Sequence, residues 1–188
     1  MNRRTAVKNL AFIAGAAALL PACSHARKAE PKASVRLKHL EVSAAQEKLL
    51  AEVCETIVPK TDTPGAKDLG VHLYVLKMLD DCCEKQEQQS FMVGMSELES
   101  VAKKQYAQPF VACSAQQKLK LLQGIEQQKT TGDLASFYHT AKRLTVGGYT
   151  NSKYFLTTQI VYELVPGRYN GYFPIKNIKS SQNRNGQS

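Results

Sequence analysis

The sequence predicts an all-α protein: a single-domain bundle of about six helices with short loops, preceded by a signal peptide and a polar tether. Three observations carry this. Apolar residues recur at helical spacing through most of the 188-residue chain, the pattern of amphipathic helices. Ser-x-x-Gln pairs and Pro or Gly residues punctuate those stretches, as helix starts and stops do. No segment alternates apolar and polar residues long enough to demand a strand.

Residues 1–22 read as the signal peptide. Arg3 and Arg4 form a pair followed by Lys8, and an apolar run fills residues 10–20. A helix of that length is only about 16 Å long, against a bilayer core of roughly 30 Å. The run is a poor membrane span and a good h-region. The paired arginines look like a Tat export signal, with Ala6 where a Phe is common. Leu20-Pro21-Ala22-Cys23 resembles a bacterial lipobox, which would make Cys23 the lipidated first residue of the mature protein. The expected location is the periplasmic side of the cell envelope, lipid-anchored to a membrane.

Residues 23–41 then read as a lipidated tether, basic and polar with Pro31 and no apolar periodicity. Fully extended, residues 24–40 could reach roughly 60 Å. The helical domain is expected over 42–175. Ser43 and Gln46 make a capping box for a first helix, with Leu49, Leu50, Val53, Cys54, Ile57 and Val58 as its stripe and Pro59 as its stop. Residues 61–66 form a Pro-Gly turn. A second helix is expected from about Ala66 to Cys83, buried along Leu69, Leu73, Leu76, Leu79 and Cys83. A third runs from about Gln86 to Tyr106, with Phe91, Met95, Leu98 and Ala102 inward, and Pro109 breaks it. Ser114 and Gln117 cap a fourth, whose face is Leu119, Leu122 and Ile125. A fifth starts near Asp133, turns Phe137, Ala141 and Leu144 inward and ends at Gly147-Gly148. Ser152 caps a sixth, through Phe155, Ile160 and Tyr162 to Pro166-Gly167. Residues 176–188 form a polar tail.

The chain has 25 basic and 16 acidic side chains. Losing Arg3, Arg4 and Lys8 with the signal lowers the formal charge from +9 to +6. Such a surface suits anionic lipid or an acidic partner. Nucleic acid is not an expected partner of an exported chain with no binding motif. With Cys23 lipidated, Cys54, Cys82, Cys83 and Cys113 remain, and they allow three full disulfide pairings among which sequence does not choose.

Residues for chemistry are few. The sequence holds no Gly-rich dinucleotide fingerprint, no P-loop and no Cys-x-x-Cys. Of the four histidines, His25 and His39 fall in the tether and His139 stands apart. His72 follows Asp68 at helical i, i+4 spacing, which would orient an imidazole for base work.

Two turn-bearing stretches stand out. One includes Ile57, Pro59, Asp62, Thr63, Pro64, Gly65, Ala66, Gly70 and Val71; the other includes Leu144, Thr145, Gly148, Tyr149 and Ser152, then Val165, Pro166, Gly167, Tyr169 and Gly171. Together they resemble the two motifs of the gluconate 2-dehydrogenase subunit 3 (small-subunit) family, over residues 42–174. Val58 is inserted between Ile57 and Pro59, and Tyr172 stands where a Cys often follows the second Gly. The resemblance implies a non-catalytic small subunit of a membrane-associated, FAD-dependent sugar or sugar-acid dehydrogenase. It would act as Tat export escort, stabiliser and anchor of a flavoprotein subunit of the glucose-methanol-choline (GMC) type. The FAD belongs to that partner, no cofactor is expected in this chain, and a multihaem cytochrome c often takes the electrons. Asp62, Pro64, Gly65, Gly148, Tyr149, Pro166, Gly167 and Tyr169 become candidate partner-binding residues. The alternative reading is a free-standing helical envelope lipoprotein that binds another protein. A self-contained enzyme using Asp68 and His72 is a third, weakened by the lack of a second catalytic group.

Overall fold

The computed structural model describes residues 31–127, 132–160, 167 and 172. These hold six α-helices: α1 (Ala44–Ile57), α2 (Val71–Cys82), α3 (Lys85–Tyr106), α4 (Ala115–Gln127), α5 (Asp133–Thr150) and α6 (Lys153–Thr158). A short 3-10 helix (Phe110–Ala112) joins α3 to α4, and one isolated antiparallel bridge links Lys32 to Ser43. No strand occurs among the described residues, so the all-α expectation holds there. No helix among them is long and apolar enough to cross a membrane. The expected signal peptide with Arg3, Arg4 and Cys23, and the polar tail at 176–188, lie outside the described residues.

The caps fall where the sequence places them. Ser43 Oγ accepts from the Gln46 amide, and the Gln46 side chain accepts from the Ser43 amide at 2.9 Å. Ser114 and Gln117 repeat the arrangement. Each such box satisfies two amides that the first helical turn leaves without partners.

The core gathers the predicted stripes. Leu50, Val53 and Cys54 of α1 meet Val75, Leu76 and Leu79 of α2, and Phe91, Met95, Leu98 and Ala102 of α3. Phe137, Ala141 and Leu144 of α5 close it. Burying one such large side chain contributes about 1.5–3 kcal/mol. Phe91 and Phe137 meet edge-on, with centroids 4.7 Å apart.

Helices α3 and α5 share the most extensive contact. Gly94 makes it possible: a Cβ there would fall on the Asp133 carbonyl and 2.5 Å from Phe137 Cβ. Gly94→Ala gains about 1 kcal/mol of helix propensity, but overpacking against backbone costs about 1–3 kcal/mol. Net destabilisation is expected, as a lower denaturant midpoint at unchanged slope. An unchanged or raised midpoint would show that α3 and α5 part at no cost.

Four expectations are corrected here, and a fifth, the end of α6, below. First, the tether does not remain free to residue 41. From Pro31 onward the chain lies on the domain, with Ala33, Val35, Leu37 and Leu40 against the core. The buried carboxylate of Asp80 accepts the amides of Lys38 (2.6 Å), His39 (2.7 Å) and Leu40 (2.9 Å). Second, α2 starts at Val71 instead of Ala66, because Gly70 is left-handed (φ 64°) and interrupts the helix. Third, α4 buries Lys118 and Leu121 beside Leu122 and Ile125, while Leu119 is 45% exposed. The Lys118 ammonium reaches the Glu52 carboxylate at 2.7 Å, so a charged residue takes an inward position because its partner is there. Fourth, α5 continues through Gly147-Gly148 to Thr150.

The connection between α2 and α3 is short because α3 caps its predecessor. Buried Gln88 donates its amide to the carbonyls of Leu79, Asp80 and Cys83 at 2.9–3.3 Å. Helix α6 starts behind Ser152 as expected but ends at Thr158, before Ile160. Tyr162 lies outside the described residues.

Candidate functional site

The site is the turn over residues 58–70 and the end of α5 that packs on it. The turn is built around a carboxylate. Glu55, on the last turn of α1, accepts the amides of Lys60 and Lys67, both at 2.9 Å. Its carboxylate lies so close to Gly65 that a Cβ would overlap it, so the glycine is required by the approach of a neighbouring side chain. Buried Ala66 donates its amide to Val58 O and accepts from the Val71 amide, closing the turn.

Glu52, one turn earlier on α1, holds two ammonium groups, Lys67 at 2.6 Å and Lys118 at 2.7 Å. Burial pushes its carboxyl up, but the hydrogen bonds and charges of the two lysines prevail and hold it below the usual range. The turn is thereby pinned to α1 and, through Lys118, to α4. A groove of about 410 Å³ runs beside it, lined by Pro59, Lys60 and exposed Leu119 among others.

The later stretch docks on this turn. Tyr149 donates its hydroxyl to the Pro64 carbonyl at 3.0 Å and packs edge-on against Phe155. Gly148 lets α5 lie on α2, since a Cβ would sit 2.6 Å from the Tyr74 ring and 3.0 Å from Val71. One turn back, buried Thr145 donates to the Cys54 sulfur at 3.2 Å. Ser152 donates to Tyr149 O and accepts from the Phe155 amide, starting α6. The first stretch and residues 144–152 of the second thus form one contiguous structure.

This placement sorts the candidate residues. Pro64, Gly65, Gly148 and Tyr149 hold the turn and the helix end together. Asp62 is exposed at the tip of the turn, and its carboxylate makes no hydrogen bond or ion pair among the described residues. Gly167 is exposed; Pro166 and Tyr169 lie outside the described residues.

Asp68 and His72 do not form the dyad that their spacing suggested, because left-handed Gly70 breaks the helix between them. Asp68 pairs with Lys60 at 3.0 Å, and His72 faces Glu47 at 3.8 Å. Burial depresses the His72 imidazole against the opposing pull of Glu47, so it is neutral at neutral pH. Nor is the turn a phosphate cradle. Its Lys60 and Lys67 amides are occupied by Glu55, whose charge would repel a phosphate, so the turn does not fit a flavin dinucleotide. Among the described residues no group of three or more His, Cys, Asp or Glu is placed to hold a metal. Cys54, Cys82, Cys83 and Cys113 are all unpaired thiols. Burial pushes the Cys54 thiol up to about 11, which makes it unreactive.

The family model for gluconate 2-dehydrogenase subunit 3 matches residues 44–167, which includes the first stretch and the second as far as Gly167. The chain belongs to this family. The matched segment opens at the first residue of α1 and closes at Gly167, so it takes in every helix described above. No curated protein and no solved structure matches the chain.

Membership makes it a subunit-3-like protein, an accessory component of a multi-subunit dehydrogenase. In this subunit 3 chain, Glu55 and Glu52 are the site residues that sequence reading missed. Their signal was faint: two acids three residues apart on the face of α1 next to its apolar stripe.

Proposed function

We propose that this subunit 3 protein is the non-catalytic small subunit of a membrane-associated, FAD-dependent sugar or sugar-acid dehydrogenase. It escorts a GMC-type flavoprotein subunit through Tat export, stabilises it, and anchors it to a membrane through acylated Cys23, on the periplasmic side of the envelope. A multihaem cytochrome c is the natural electron acceptor of such an assembly.

The observation that carries this reading is the family match across the whole helical domain. The site supports it physically. Tyr149 and Glu55 hold the turn in one shape, and a pre-shaped loop binds without the entropy cost of ordering itself. Asp62 at its tip and the Pro59–Leu119 groove beside it offer a polar contact and an apolar one on neighbouring surface. This reading leaves the flavin to the partner; the occupation of the Lys60 and Lys67 amides by Glu55 supports it.

The test is purification of the full chain from envelope membranes under mild detergent. A partner carrying FAD is expected to co-purify in constant proportion, and the chain alone is expected to carry none. Isolation of the chain alone, or with a partner lacking flavin, would reject the proposal.

A further inference from the structure

The segment between Cys23 and α1 is basic, and the fold holds part of it in a fixed orientation. Side chains 33, 35 and 37 are half-buried, while 32, 34, 36 and 38 are exposed. That alternation turns Ala33, Val35 and Leu37 toward the core and sets Lys32, Arg36 and Lys38 on the outer face. Two carboxylates fix it there. Glu47 accepts the Ser34 amide at 2.5 Å and its hydroxyl at 2.6 Å, and Asp80 accepts three successive amides further on. Asp80 accepts backbone amides alone, whereas Glu47 also takes the hydroxyl of Ser34, one of the exposed side chains, and so adds an acid to that face.

On the outer side the cations prevail. Lys32 and Arg36 make no ion pair among the described residues. Asp81 lies between Lys38 and Lys77, 3.3 Å from each. Lys85 of α3 lines a groove with Lys38, His39 and Glu41, and Glu41 is exposed. Five cations, Lys32, Arg36, Lys38, Lys77 and Lys85, thus stand against three acids, Glu41, Glu47 and Asp81.

We infer that this basic ribbon is a binding surface for anionic phospholipid headgroups. Position favours lipid over an acidic protein. Lys32 lies nine residues after Cys23, so an acylated Cys23 keeps it within roughly 30 Å of the anchor even at full extension. This proximity rests on the proposed anchoring through Cys23. Acyl chains combined with a polybasic patch make a two-signal attachment that neither provides alone. Clamping the segment through its backbone leaves Lys32 and Arg36 free to meet a charged plane, with Lys38, which shares Asp81 with Lys77, beside them.

The test uses the mature chain with Cys23→Ser, so that no acyl chain contributes. Its sedimentation with vesicles of phosphatidylcholine is compared with vesicles of an equal mixture with phosphatidylglycerol. Binding is expected only to the mixture, weakening as salt shortens the screening length. Each cation near an anionic surface strengthens partition several-fold, so Lys32→Gln, Arg36→Gln and Lys38→Gln together are expected to lower it roughly 100-fold. Lys103→Gln, Lys104→Gln and Lys120→Gln remove the same charge from other exposed positions and are expected to leave most of the binding. Equal loss in the two triple variants would reduce the effect to net charge and overturn the inference. So would absence of binding to the anionic vesicles, which would leave the ribbon to an acidic protein. Fatty-acid labelling of Cys23 in cells reads the anchor separately.

Discussion

Replacing Arg3 and Arg4 together with Lys is expected to leave both this protein and the flavoprotein partner proposed for it in the cytoplasm, the partner with FAD in place. The substitution keeps both charges and changes only their shape. A guanidinium presents a planar fork of donors, whereas an ammonium is a compact point charge, so a receptor that reads paired arginines is expected to distinguish them. Export of a folded partner on a signal in this chain requires a complex that survives transport. That calls for an interface above roughly 2,000 Å² in total, with the pinned turn at 58–70 and the end of α5 as its pre-shaped part. Fractionation followed by immunoblotting of both proteins, and flavin assay of the cytoplasmic pool, would read the outcome. A partner that still reaches the envelope in the mutant would eliminate the escort role and leave anchoring or stabilisation. A partner found in the cytoplasm without FAD would show that flavin insertion does not precede transport.

The second large effect is expected from Asp80→Ala. Asp80 is only 2% exposed, and its carboxylate holds the segment before α1 through the amides of Lys38, His39 and Leu40. Removing it takes away three charge-assisted hydrogen bonds, although water can reach part of the released backbone. A loss of about 2–4 kcal/mol is expected, since one such bond contributes about 1.5–3 kcal/mol. The effect depends on pH in a defined direction. Burial pushes the Asp80 carboxyl up, but the three amides outweigh it and hold the group below its ordinary value. The folded state therefore binds the proton more weakly than the unfolded one. The stabilisation is complete above the unfolded value of about 4 and fades as pH falls through the folded value. The difference between wild type and variant is thus largest at neutral pH and shrinks in acid. Denaturant titrations across that range would measure it, with amide exchange at residues 38–40 as the local readout. A difference that stays constant into acid, or unchanged exchange at those amides, would show that the carboxylate is not what holds the segment.

If the ribbon and the Asp80 clamp act as argued, the segment before α1 links attachment and fold. The same residues that complete the core, Ala33, Val35 and Leu37, decide which way Lys32, Arg36 and Lys38 face. Asp80→Ala would then blunt lipid binding without touching a basic side chain.

The helices were legible in the sequence because their signals are local. A capping box such as Ser43 with Gln46 spans one turn. The α3 stripe of Phe91, Met95, Leu98 and Ala102 announces its face by spacing alone, and all four are buried. The two motif stretches were legible as unusual, and their resemblance named the family correctly. What they do was not legible. Tyr149 and Pro64 stand 85 residues apart, and only the packing of α5 on α2 brings hydroxyl to carbonyl. Lys118 turns inward ahead of Leu119 because Glu52, 66 residues earlier, is there to receive it; side-chain hydropathy by itself predicts the opposite. The end of α5 was misplaced for a related reason. Paired glycines usually stop a helix, but here Gly148 is the contact that admits Tyr74 and Val71. The docked segment was missed because its alternation is too short to register, and the carboxylate that holds it lies some 40 residues away. Caps and stripes follow from chemistry within a few residues, so sequence alone determined the helices. Which buried charges are tolerated, where the turn is pinned and which face the basic segment presents depend on partners that only the folded chain brings together.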